Sequence, residues 1–175
     1  MKNIILLLFL VNFTSIIGQE AEIIKGYGKV YSIKNPDLLL KTNTEYKIIF
    51  DIFTDKSKKN GVNPLLNTVA RYLNMHAQQG VLLENMKIVI ILHGAATKYT
   101  INDIAFENQF EIKNPNSKLL QELKKSNVEL FVCGQSYVAN GFKIENKSSN
   151  IKLALSALTA LVHFQTEGYQ IINFN

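Results

Sequence analysis

The amino-acid sequence predicts a single α/β domain with a mostly parallel sheet covered by helices on both faces. Three observations carry this expectation. Apolar, β-branched runs of strand length recur at residues 46–53, 86–92 and 128–133, and unbroken runs of that kind belong to strands buried on both sides. Segments with apolar residues at helical spacing lie between them, which lets successive strands run parallel through right-handed crossovers. The chain has 175 residues, 47% hydrophobic and 19% charged, enough for one substantial core. It shows no internal repeat, low-complexity tract or linker that would divide it.

The first eighteen residues read as an export signal. Lys2 supplies the positive start, residues 4–11 form an apolar run, and Ser15 and Gly18 are small residues near a cleavage point after Gly18. That run is too short to span a bilayer, and no later segment is long enough either. The mature chain is therefore expected in the periplasm or outside the cell, without a membrane span. Residues 19–44 read as an N-terminal extension: Tyr27, Lys29, Tyr31 and Ile33 alternate around Gly26 and Gly28, as in a short edge strand or an extended arm ending near Pro36.

The α/β domain occupies residues 45–175. After the first strand comes a polar loop over 54–61. Asn63 and Pro64 then form a helix N-cap and first-turn pair, and Leu65, Leu66, Val69, Leu73 and Ala77 keep helical spacing until Gly80. The second strand ends at His93 and Gly94 and gives way to a helical stretch near 101–106. Pro115 precedes a helix over 117–126 with Leu119, Leu120 and Leu123 on one side. The third strand runs directly into a short helix closed by Asn140 and Gly141. Residues 151–167 read as one long amphipathic helix carrying Leu153, Leu155, Leu158, Leu161, Val162 and Phe164. Gly168 ends it, and 169–174 form the last strand.

The formal charge of +5 drops by one, to +4, when Lys2 leaves with the signal, and the remaining lysines are scattered. No basic stripe is interleaved with aromatics, so nucleic acid is not an expected partner despite a pI near 9.2.

Ligands of open parallel sheets bind beyond the carboxyl ends of the strands. Polar groups gather at that edge: Asp55 and Asn63 after the first strand, His93 and Gly94 after the second, and Cys133, Gly134, Gln135 and Ser136 after the third. Cys133 is the one cysteine of the chain, so it makes no internal disulfide in a compartment that favours them. At a helix start, free amides and the helix dipole favour its thiolate, which suits a nucleophile or sulfur carrier. The same position equally suits a buried cysteine serving as a small hydrophobe. His93 is placed to exchange a proton or bind an anion if the second and third strands are neighbours, or to bond backbone as a loop histidine. His76 and His163 read as structural. The spacing of histidines and cysteine matches no zinc site, and no cofactor motif is present.

Residues 128–141, from Val128 through Cys133-Gly134-Gln135-Ser136 to Gly141, resemble the strand, cysteine and short-helix segment of the DsrE/DsrF-like family. The strand end Leu92-His93-Gly94-Ala95 and the closing pattern of Ala157 to Leu161, Gln165 and Gly168-Tyr169 are similar too, and together they cover residues 46–175. The family includes subunits of the Dsr sulfur-oxidation and Tus tRNA-thiolation relays. The resemblance implies a three-layer α/β/α fold with a five-stranded sheet, assembly into trimers or hexamers, and Cys133 as an acceptor that holds sulfur as a persulfide. A small sulfur compound or a partner protein would then be its counterpart. Relay enzymes are cytoplasmic, whereas this chain carries an export signal and an extension, so it resembles exported bacterial members. A non-catalytic ligand-binding or assembly module of the same fold is the competing expectation.

Overall fold

The computed structural model describes residues 22–58 and 61–173; the expected export signal lies outside them. Five strands form one sheet, ordered β4-β3-β2-β1-β5, and every pairing is parallel. The elements in chain order are β1 (Tyr46–Ile52), α1 (Pro64–Gln78), β2 (Met86–Leu92), a 3-10 helix (Gly94–Thr100), α2 (Asp103–Phe110), α3 (Ser117–Lys125), β3 (Glu129–Cys133), α4 (Gly134–Ala139), β4 (Lys152–Ala154), α5 (Ala157–Thr166) and β5 (Gln170–Asn173). Helices cover both faces, as the alternation of strands and helices predicts.

Side chains alternate across the sheet, and the two faces are unequal. Ile48, Phe50 and Ile52 of β1, Ile88, Ile90 and Leu92 of β2, and Leu130 and Val132 of β3 enter the larger core with the buried sides of α1 and α3. Ile49, Val89, Ile91, Phe131 and Cys133 face the other way, where Ala157, Ala160 and Phe164 of α5 cover them. Phe164 meets Phe131 and Tyr169 edge-on, with ring centroids 5.4 and 5.2 Å apart.

Over its described residues, from 22 on, the N-terminal segment is an arm without strand pairing, held against α1 by side chains of that helix. Asn74 accepts from the amide of Ile24 at 2.8 Å and donates to the carbonyl of Tyr27 at 3.0 Å, and Asn67 accepts from Gly28. Gly28 has a φ of +61°, and a Cβ there would come within 2.2 Å of the Arg71 amide nitrogen, so only glycine lets the arm lie this close.

The helix expected over 151–167 is corrected by the structure. Residues 152–154 are instead the edge strand β4, paired with β3 from Phe131↔Lys152 to Cys133↔Ala154, and α5 starts only at Ala157. Ser156 separates the two elements: its side chain accepts from the Thr159 amide in a capping box, which starts a helix at that point. A three-residue strand is fixed by its neighbour in the sheet, not by its own periodicity. The leucines assigned to a buried helix face consequently face solvent: Leu155 is 72% exposed and Leu158 78%. The helical stretch expected near 101–106 is α2, which starts at Asp103 after a separate 3-10 helix over Gly94–Thr100 and is capped by the Asn102 side chain on the Ala105 amide.

Candidate functional site

β3 ends at Cys133 and α4 begins at the next residue, so the cysteine is the N-cap of that helix. Its Sγ accepts from the Ser136 amide at 3.4 Å. Burial pushes the thiol up, but donation by the Ser136 hydroxyl and by the amides of Ser136, Ala157 and Gln135 outweighs it, and the thiol titrates below its ordinary value. Two helix starts thus converge on one sulfur: Gln135 and Ser136 belong to α4, and Ala157 opens α5.

The sulfur does not open onto a crevice in the isolated chain. Cys133 is 4% exposed and packs with Val89, Ile91, Ala157 and Ala160 between the sheet and α5. Gly134 serves the same closure. A Cβ there would lie 2.7 Å from the Ala154 carbonyl oxygen and 3.2 Å from that of Leu155, so the room this glycine provides is filled by the β4–α5 junction and not by a ligand.

Four other expected residues meet at this edge. The amide of Gly94 donates to Ser136 Oγ at 3.2 Å, which ties the end of β2 to the first turn of α4, and Asn140 donates to the Gly94 carbonyl at 3.5 Å. Gly94 has a φ of +52°, and a Cβ there would meet the Phe53 carbonyl at 2.7 Å, so the turn after His93 requires glycine. His93 directly follows Leu92, the register partner of Val132, which makes His93 and Cys133 the next neighbours along the β2–β3 ladder. Gln135 is exposed beside them.

Asn63 stands apart from this group, contrary to the expectation that it lines the pocket. It is fully buried as the cap of α1. Its side chain accepts from the Leu65 amide at 2.8 Å and donates to the Thr54 carbonyl at 2.9 Å, while its own amide donates to Asn116. Asp55 is likewise committed: Ser57, Tyr99 and Lys98 all donate to its carboxylate, pinning the loop after β1 to the 3-10 helix. Desolvation opposes the charged form there, but these donors prevail and hold the carboxyl far below the usual carboxylate range. His76 is buried in α1, stacked on Tyr72 with its Nδ1 against the Tyr72 carbonyl, and burial lowers its pKa. His163 lies exposed on α5 beside Glu167.

Sequence reasoning missed Asp51. Its carboxylate accepts from His93 Nε2 at 2.8 Å, and the residue is only 9% exposed. The signal was present: an aspartate inside an otherwise apolar strand needs a buried partner. Asp51, His93 and Cys133 share the sheet face of Ile49, Ile91 and Phe131, at the carboxyl ends of three adjacent strands.

Comparison with known proteins agrees with this architecture. No curated protein matches the chain. A protein of unknown function, MTH1491 from Methanobacterium thermoautotrophicum, superposes with a TM-score of 0.57 at 19% identity, over 74% of this chain and 99% of that one. The YchN protein of E. coli superposes with a TM-score of 0.53 at 15% identity, over 74% and 99% of the respective chains. These likenesses establish the fold. The sequence model of the DsrE/DsrF-like family matches residues 47–174, well over half of the chain, and the chain therefore belongs to the DsrE/DsrF-like family.

Proposed function

We propose that this protein handles sulfur, with Cys133 accepting a sulfane sulfur and carrying it as a persulfide. The observation that supports this reading most is Cys133 at the N-cap of α4 with its Sγ accepting from the Ser136 amide at 3.4 Å, beside further donors at the starts of α4 and α5 that favour the thiolate needed for attack. The thiolate attacks the terminal sulfur of a persulfide R–S–SH, one S–S bond forms as another breaks, and the departing R–S⁻ takes up a proton. The net change is Cys–SH + R–S–SH → Cys–S–SH + R–SH. Because Cys133 is buried in the isolated chain, the reaction requires the β4–α5 junction to move off the sulfur. The export signal read at residues 1–18 supports a location outside the cytoplasm for this chemistry.

Incubating the protein with an alkyl persulfide and weighing it intact tests the carrier role. The native chain is expected to gain the mass of one or two sulfur atoms and a Cys133→Ser variant none. A native chain that gains nothing refutes the role.

A second reading, an assembly module built from copies of this chain, is favoured by a different observation. Leu155 and Leu158, together with Val162 at 62% exposure, make an apolar strip along the start of α5 that the single chain leaves in water. Under this reading the strip is the contact between copies. Light scattering after gel filtration should find a trimer or hexamer, and a monomer at micromolar concentration would dismiss it.

A further inference from the structure

The polar partner that β1 and β2 build beside Cys133 has no role in holding the thiolate. Asp51 is the last but one residue of β1, where an apolar residue would serve packing better, and its carboxylate is engaged by His93 Nε2 at 2.8 Å. A carboxylate accepts and does not donate, so this bond places a proton on Nε2 and sets the ring orientation. The remaining nitrogen, Nδ1, is then the one free to exchange protons with a reactant. The His93 side chain is one quarter exposed, enough for solvent to replenish a proton, and Phe53 flanks its ring at 5.7 Å between centroids.

Across the sheet the order is Cys133 on β3, His93 at the end of β2, and Asp51 on β1, all on one face. Adjacent strands lie about 5 Å apart, so His93 neighbours the position of a sulfur bonded to Cys133 once the β4–α5 junction has moved off it. The Gly94 to Ser136 and Ser136 to Cys133 hydrogen bonds hold the two strand ends in this relation. His93 makes no hydrogen bond to Cys133 itself.

We propose that Asp51 and His93 form a proton-delivery pair, in which His93 donates to the thiolate leaving from the sulfur that Cys133 attacks and Asp51 positions the His93 ring. The proposal rests on the reading of Cys133 as a reactive thiol, but not on persulfide being its substrate. With a disulfide R–S–S–R, the Cys133 thiolate, its proton already lost to water, forms one S–S bond. The R–S⁻ released by the broken S–S bond takes the Nδ1 proton of a His93 imidazolium, whose Nε2 proton stays hydrogen-bonded to Asp51, and the neutral ring regains a proton at Nδ1 from water. The balance is Cys–SH + R–S–S–R → Cys–S–S–R + R–SH.

The leaving group supplies the test, because a poorly acidic alkyl thiolate needs that proton and a strongly acidic aryl thiolate does not. Rates of mixed-disulfide formation at Cys133 are to be measured by intact mass on the full chain, with hydroxyethyl disulfide and with dithiobis(nitrobenzoate). Asp51→Asn, whose amide can force the opposite tautomer on His93, and His93→Gln are each expected to slow the alkyl reaction about tenfold or more while leaving the aryl reaction within about twofold. Imidazole in solution is expected to restore the alkyl rate of a His93→Ala variant. A change of equal size with both disulfides, in either direction, overturns the proposal, as does no change with either. If the native chain shows the leaving-group pattern yet takes no sulfur from an alkyl persulfide, the carrier role falls and the pair stands; the converse result removes the pair alone.

Discussion

Replacing Asn63 by alanine separates a structural cap from a binding residue, and the structure sets the size of the effect. Two interactions disappear. Loss of the side-chain bond to the Leu65 amide removes the N-cap of α1, about 1 kcal/mol and up to about 2. Loss of the bond to the Thr54 carbonyl strands an acceptor that is half-buried, about 1–2 kcal/mol, the lower part of the usual range because some water reaches it. Asn63→Ala should therefore cost about 2–4 kcal/mol, which for a domain of this size lowers Tm by roughly 4–16 °C. Asn63→Ser keeps a capping oxygen and gives up the donor to Thr54, so about half the loss is expected. Thermal unfolding by circular dichroism measures both, and iodoacetamide alkylation of Cys133 at 25 °C is expected to stay at the native rate in each. A native Tm in Asn63→Ala, or a changed alkylation rate in a variant that remains fully folded at that temperature, would refute the assignment of Asn63 to the fold alone.

Other consequences can be measured as readily. Gly134→Ala should destabilise by about 1–3 kcal/mol, because backbone atoms at Ala154 and Leu155 must retreat from the new Cβ, and it should speed Cys133 alkylation as the junction loosens; an unchanged unfolding midpoint would contradict this. Ser136→Ala removes a hydroxyl donor, so the pH midpoint of Cys133 alkylation should move upward, and a midpoint that stays put would show that the amides suffice. The depressed thiol pKa also carries a pH signature in stability. Its contribution is full above 9.0, the ordinary thiol value, and is lost as pH falls through the folded-state pKa, so the native chain should gain on Cys133→Ser as pH rises across that window. Denaturant titrations at several pH values would detect the opposite trend if the argument is wrong. Changing Leu155 and Leu158 together to lysine should dissociate any oligomer while shifting the stability of the single chain by no more than about 0.5 kcal/mol, since both side chains already face solvent there; light scattering and thermal melts decide it.

Much of the architecture is written in local patterns. The unbroken apolar runs around Ile49, Ile90 and Leu130 specify buried parallel strands, Asn63-Pro64 specifies the start of α1, and the strand-to-helix step at Cys133 needs only its own neighbours to be recognised. These features depend on chain stiffness, hydrogen-bond capping and hydrophobic periodicity, all of which act over a few residues. Family membership, carried by the segments around His93 and Cys133, was legible for the same reason.

Features that depend on distant segments had to wait for the folded chain. β4 exists because β3 offers an unpaired edge to residues 152–154, and a leucine-rich run cannot announce that by its spacing. The pairing of Asp51 with His93 joins residues 42 positions apart, and the packing of α5 over Cys133 joins two others across the sheet. Whether Asn63 is a ligand-facing amide or a cap already in full use was likewise settled by the Thr54 and Leu65 partners around it. Burial and partner choice are properties of the whole fold, because a side chain's surroundings are assembled from elements that the local sequence does not contain.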